Sequence, residues 1–133
     1  MKLVPEKYLD LLSTETRAFA YLSTTMPDGS PQVTPIWFDI QDGCILFNSA
    51  EGRVKDRNIR ARTSVALAIA DPNNPYRYLQ VRGRVVEITS QGAQDHINRL
   101  SWKYTGREFY SSGAPAEKRV IYKLLPKHVN GMG

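Results

Sequence analysis

The sequence predicts a mainly β protein with a few short helices, built as a small closed or half-closed antiparallel barrel of six strands. Three observations lead there. Two Asp-Gly turns, Asp28-Gly29 and Asp42-Gly43, separate three β-rich runs near the start of the chain. A single helical segment interrupts the first four strands, whereas parallel pairing needs a crossover between most of them. The longest strand-like run carries Gly83 in its middle, where a barrel strand bends or bulges.

The elements follow in order. Pro5 to Ser13 reads as a short helix, with proline tolerated in the first turn and Tyr8, Leu9 and Leu12 on one face. Arg17–Thr25 alternates and stops at Pro27-Asp28-Gly29. Gln32–Ile40 is a second strand and Cys44–Asn48 a third, so a meander is the simplest pairing. Gly52 to Arg62 reads as a helix, for which Ser49 is a candidate N-cap. Ser64–Ala70, nearly all apolar, predicts a central strand, broken by the run from Asp71 to Pro75. Arg77–Thr89 is the long fifth strand, and Gln91–Tyr104 is a helix with Ile97, Leu100, Trp102 and Tyr104 supplying apolar contacts. Residues 105–116 are rich in Gly, Ser and Pro and predict a loop. Val120–Leu125 is the last strand, followed by a polar tail.

With 133 residues, 41% of them hydrophobic and 23% charged, the chain reads as one globular domain, residues 1–133. No apolar run is long enough to span a bilayer, and Glu6 and Asp10 interrupt what a signal peptide would keep apolar. The expected location is cytoplasmic. One cysteine, Cys44, fits a reducing compartment and is expected to be a small buried residue. His96 and His128 have no ligand partners at metal-binding spacing, so no metal site is expected. The formal net charge of +5 points to an anionic partner.

The chemistry concentrates in FNSAEGRVKDRNIRAR, where Arg53, Lys55, Arg57, Arg60 and Arg62 crowd a segment balanced only by Asp56. A strand ending at Asn48-Ser49, then Ala50, a glycine and a helix start presents free amides and the positive end of a helix dipole. Cations in the first helical turn oppose that dipole unless an anion is bound, and such local conflicts tend to fall at functional sites. A phosphate there would gain hydrogen bonds on the order of 1.5–3 kcal/mol each. A solvated basic helix explains the same composition equally well. Tyr76 and Tyr78, two apart, share a strand face and can stack on a flat ring or pack across strands. Pro35 inside Thr34-Pro35-Ile36-Trp37 marks a strand edge or a bulge. No signature of acid–base or nucleophilic catalysis stands out, so any chemistry is expected from a cofactor.

The order of these features resembles the pyridoxamine 5'-phosphate oxidase-like superfamily of FMN-binding split barrels. Within it, the chain looks most like the branch of deazaflavin-dependent oxidoreductases that use coenzyme F420. AYLSTTMPDGSPQVTPIWF, FNSAEGRVKDRNIRARTSVALAI, YRYLQVRGRVVEI and RVIYKLLPKHVNG carry the match. The resemblance implies a six-stranded split β-barrel that forms a homodimer with two cofactor sites at the interface. It implies a phosphate held by Ser49, Arg53, Lys55 and Asn58, a ring lying along Gln32, Val33, Thr34 and Pro35, and Tyr76 and Tyr78 reaching it from the partner subunit. Trp37 is expected to pack rather than to touch the ring. The implied cofactor is coenzyme F420, favoured over FMN because its acidic tail suits Arg57, Arg60, Arg62 or Arg77. The implied reaction is hydride transfer with a small conjugated substrate. An FMN oxidase or flavin carrier is the alternative. A barrel for single-stranded nucleic acid is a remote third reading, because it leaves Ser49-Ala50-Glu51-Gly52 without a purpose.

Overall fold

A computed structural model describes residues 2–111 and 117–133, so residues 112–116 of the expected 105–116 loop lie outside the described residues. A 3-10 helix at Glu6–Leu12 precedes strands β1 (Ala20–Thr25), β2 (Pro31–Ile36), β3 (Phe38–Gln41) and β4 (Cys44–Ala50). Helix α1 (Val54–Ala61), β5 (Ser64–Asp71), β6 (Asn74–Thr89), helix α2 (Ala93–Thr105) and β7 (Arg119–Met132) complete the order.

The seven strands form one antiparallel sheet, β2-β1-β5-β6-β7-β4-β3. Its two edges, β2 and β3, are joined in sequence by Trp37 alone. A one-residue link between opposite edges brings them side by side without ladder pairing. The barrel therefore closes as a split, which is the predicted class. The expected second strand is divided at this point, which is why seven strands appear where six were expected. The same division corrects the simple meander. β1–β2 and β3–β4 are hairpins on opposite edges, and β1 pairs with β5 on its other side. Pro35 lies on edge strand β2, where its missing N–H costs no ladder bond on the open side.

Two further expectations change. The amino-terminal helix is 3-10, and its threefold winding turns Tyr8 and Leu11 inward and leaves Leu9 exposed. The tail does not end in a polar coil. β7 runs on to Met132 because β6, 16 residues long, offers it a partner as far as Tyr78↔Met132. The pairing shifts register at Arg82/Gly83, the bulge that Gly83 predicts.

Strand alternation sorts the side chains. Ile45 and Phe47 of β4 and Val120, Tyr122 and Leu124 of β7 point into the barrel core. Leu46 and Ile121 point outward and meet Ala93 of α2 in a second, smaller cluster, with Cys44 half-buried beside it rather than fully buried. α2 is thus a lid on the outer face of β4 and β7. Its last turn fastens the split, because Lys103 Nζ donates to Phe38 O at 2.7 Å and lies 4.4 Å from the Phe38 ring centroid.

Lys103 is 5% exposed. Burial pushes its ammonium down to about 8, against the opposing pull of Asp39 and Glu15. An unfolded lysine titrates near 10.4, so between about pH 8 and 10.4 the unfolded chain binds more protons and stability from this group rises with pH. Wild type is expected to gain roughly 2–3 kcal/mol on Lys103→Met across that window. Denaturant melts of both proteins at pH 7.5 and 10 check this, and a pH-independent difference contradicts it.

Candidate functional site

On the outer face, where α2 overhangs β4 and β7, a cavity of about 260 Å³ opens between the start of α1 and the barrel split. Its apolar wall is Phe19, Pro35, Trp37, Ile97 and Leu100, and its polar wall is Asn48, Arg53, Lys55 and Arg119. Trp37 stacks on Tyr104 at 5.3 Å and 9°, and Phe19 stacks on the same ring at 5.3 Å. Tyr104 is fixed by its hydroxyl, which donates to Ala18 O at 2.6 Å. A preformed aromatic wall facing cations is suited to a flat ring that carries an anionic arm.

The cations converge for local reasons. Gly52, with φ +91°, turns the chain out of β4, and Arg53 takes the N-cap position of α1 without any side-chain cap. Ser49, expected as the N-cap, instead lies within β4. Asp56 does the anchoring, its Oδ2 accepting the Gly52 N–H at 2.9 Å. Arg119 arrives opposite Ala50 through the β4–β7 ladder. Glu117 is the acid among them, paired with Arg53 at 2.5 Å and Arg119 at 3.1 Å. Lys55 makes no ion pair among the described residues. Burial first, then the Arg53 and Arg119 charges, push its ammonium below the usual lysine range. Three cations against one carboxylate leave a local excess that a phosphate would neutralise.

Behind Arg119 a buried chain of polar groups sets the wall. Arg119 Nε donates to Asn48 Oδ1 at 2.9 Å, which orients the Asn48 amide. Asn48 Nδ2 then donates to Ala93 O at 2.9 Å and to His96 Nδ1 at 3.1 Å. With Nδ1 accepting, the ring proton is on Nε2, which donates to Asp39 Oδ1 at 2.9 Å. Arg99 Nε donates to the other Asp39 oxygen at 3.0 Å. Burial alone would raise the Asp39 carboxyl, but the bonds from His96 and Arg99 hold it below the ordinary range.

The residues singled out in the sequence divide into two groups. Asn48, Arg53, Lys55 and Pro35 line the cavity. By strand alternation Ala50 shares the outer face of β4 with Asn48, and Val33 shares the outer face of β2 with Pro35. The others are not brought to it. Ser49 is 1% exposed and sits on the same inward face of β4 as Phe47, with its hydroxyl buried and unpartnered. The hydroxyl expected to meet a phosphate therefore does not face the cavity, whereas Arg119 lines it. Asn58 is also buried and is committed inside, donating to Thr24 Oγ1 at 3.0 Å and accepting from Arg62, so it ties α1 to β1 instead of meeting the cavity. Thr24 in turn donates to Gln32 Oε1 at 3.0 Å, which places Gln32 on the inner face of β2 with Thr34, whose hydroxyl is buried and unpartnered. Tyr76 and Tyr78 stand at the far end of β6, away from the cavity of their own chain, with Tyr76 82% exposed.

The remaining cations are spent elsewhere. Arg60 pairs with Asp56, Arg62 donates to Thr25 O, Arg57 donates to Gly52 O, and Arg77 bridges Asp10 and Asp71. None of these four lines the cavity. Sequence reasoning missed Arg119, Tyr110 and His96. Arg119 and Asn48 are 71 positions apart, so only the strand pairing shows that they meet.

Among the described residues no helix is long and apolar enough to cross a membrane. The family model described as pyridoxamine 5'-phosphate oxidase matches residues 4–133. A solved structure entitled F420 reductase is 36% identical over 96% of this chain and 98% of its own, with a TM-score of 0.81. A conserved hypothetical protein of Mycobacterium tuberculosis shares the fold at 21% identity and TM-score 0.71, covering 97% of this chain and 84% of its own. HupZ of Group A Streptococcus shares it at 17% and 0.68, covering 96% and 93%. No curated protein gives a significant match. Matched from residue 4 to its last residue and folded as a split barrel, the chain belongs to the pyridoxamine 5'-phosphate oxidase family.

Proposed function

We propose that this protein is an oxidoreductase that binds a flavin-type cofactor, with coenzyme F420 favoured over FMN, and exchanges a hydride with a small conjugated substrate. The observation that carries the reading is the convergence of Arg53, Lys55 and Arg119, with one acid between them, beside the Phe19–Tyr104–Trp37 stack. That donor set fits a phosphorylated planar cofactor. Arg53, Lys55 and Arg119 would hold the phosphate, Asn48 would keep Arg119 aimed, and Pro35 and Val33 would lie along the ring. The bound cofactor supplies the carbon that gives or accepts hydride, while the protein binds, orients and excludes water. The 36% identity to a protein entitled F420 reductase favours the deazaflavin over FMN.

A homodimer belongs to the same proposal. Tyr21, Val33 and Tyr76 are large apolar side chains left exposed on the sheet, a pattern that marks contact surfaces. A second copy would bring Tyr76 and Tyr78 to a cavity that they do not reach in their own chain.

Titration of cofactor-free protein with coenzyme F420 and with FMN, followed by fluorescence polarisation, tests the reading. Binding of F420 at micromolar concentrations or below with weak FMN binding is expected. The reverse preference moves the protein to FMN, and binding of neither overturns the proposal. Lys55→Ala is expected to weaken cofactor binding at least tenfold, about 1.4 kcal/mol, with an unchanged melting temperature. Normal binding by this variant would remove Lys55 from the clamp.

A further inference from the structure

Of the three cations at the aromatic cavity, Arg119 is the one whose direction is most closely specified. Its Nε donates to Asn48 Oδ1 at 2.9 Å, its Nη1 pairs with Glu117 at 3.1 Å, and its guanidinium lies 5.1 Å from the Tyr110 ring centroid. Nη2 makes no hydrogen bond among the described residues, so one arm of the fork is left for a ligand.

The Asn48 amide that steers Arg119 is itself steered from behind. Its Nδ2 carries two protons, and two buried acceptors, Ala93 O and His96 Nδ1, take one each. Turned over, the amide would set its oxygen against Ala93 O and a donor against Arg119 Nε, losing both bonds at once. His96 contributes only while Nδ1 is unprotonated. Asp39 secures that state by accepting the Nε2 proton at 2.9 Å, with Arg99 occupying its other oxygen. The chain of bonds thus runs from β3, on one side of the split, through α2 to β4 and β7, and His96 within it is 1% exposed.

Anchoring α2 does not require this chain. Leu46, Ile121 and Ala93 already hold the helix on the sheet, and Lys103 and Tyr104 tie its last turn to Phe38 O and Ala18 O. Buried polar groups cost stability unless each is paired, and apolar side chains of the same shape would dock a helix at least as well. What a fully paired polar chain adds is direction.

Resting on the phosphate reading above, we propose that His96 is a positioning residue of the cavity. Held in one tautomer by Asp39, it fixes the Asn48 amide and thereby aims Arg119 at the anionic arm of the cofactor. Two matched pairs of probes separate this from a structural role: coenzyme F420 with its phosphate-free deazaflavin–ribityl core, and FMN with riboflavin. Binding is measured on the full chain at a temperature where every variant is folded. Wild type is expected to prefer the phosphorylated member of whichever pair it binds more tightly. His96→Asn keeps an acceptor where Nδ1 stood, whereas His96→Gln keeps only the donor toward Asp39. His96→Gln is expected to lose at least tenfold in affinity for the phosphorylated member and less than twofold for the phosphate-free one. His96→Asn is expected to stay within threefold of wild type on both. In an Arg119→Lys background, His96→Gln should add less than a further twofold, because the residue it acts through is gone. An unchanged His96→Gln, equal losses on both members of the pair, an equal loss in His96→Asn, or a full further loss in the Arg119→Lys background each overturns the positioning role and leaves the cofactor reading standing. A wild type with no preference for the phosphorylated member overturns the cofactor reading and this role together.

Discussion

Gly83→Ala is expected to destabilise the protein by about 3 kcal/mol or more. A Cβ built at Gly83 would stand 2.2 Å from Leu125 O and 3.1 Å from Leu124 Cδ1. The first of these is a backbone oxygen in the neighbouring strand. It cannot swing aside as a side-chain tip would, so β6 and β7 must separate where their register already shifts. The requirement is closeness of approach, not an unusual backbone angle. Gly29 provides the contrast, since its φ of +88° favours glycine but a Cβ added there would meet nothing within 4 Å. Gly29→Ala is therefore expected to cost only about 1 kcal/mol. Urea melts of both variants decide the matter, and equal small losses would show that the β6–β7 contact yields more easily than its geometry suggests.

The bend at Gly83 is legible in the sequence because a lone glycine inside a long β run has few other uses. The place of the split is not, because Gln32–Ile40 reads as one strand and nothing local says that Trp37 crosses between the sheet edges. A long-range pairing decides that. The same limit governs the site. Arg53 and Lys55 are legible as cations at a helix start, a feature local in sequence. Ser49 and Asn58 have the right chemistry, but alternation turns Ser49 inward, and Asn58 is buried with its amide committed to Thr24. Arg119 is invisible at the head of the last strand, since its value depends on Asn48 lying beside it. The tail of β7 reads as coil because its side chains are polar, whereas its pairing comes from backbone groups presented by β6.

Asp56→Ala is expected to cost about 3 kcal/mol of stability and, at temperatures where the variant still folds, to weaken cofactor binding by more than tenfold. Asp56 is the single acid within the basic helix, and it is 1% exposed. Its carboxylate accepts the Gly52 N–H at 2.9 Å, Arg60 Nε at 3.0 Å and the Tyr122 hydroxyl at 2.5 Å. Burial pushes its carboxyl up, but the bonds from Gly52, Tyr122 and Arg60 outweigh it and hold the group below the usual range. The stabilisation is thus fully present above the unfolded value near 3.9 and is lost as pH falls through the lower folded value. Removing the carboxylate strands the Tyr122 hydroxyl in the core and frees the turn that sets Arg53 at the cavity. Asp56→Asn keeps an acceptor and should recover part of both losses. Adding Tyr122→Phe to Asp56→Ala should recover stability without recovering binding, because it removes the orphaned hydroxyl but leaves the Gly52 turn unfastened. Thermal melts and cofactor titrations of the three variants separate these effects. If Asp56→Ala binds cofactor as wild type does, the clamp does not depend on this turn, and the aim of Arg53 must come from Glu117 alone.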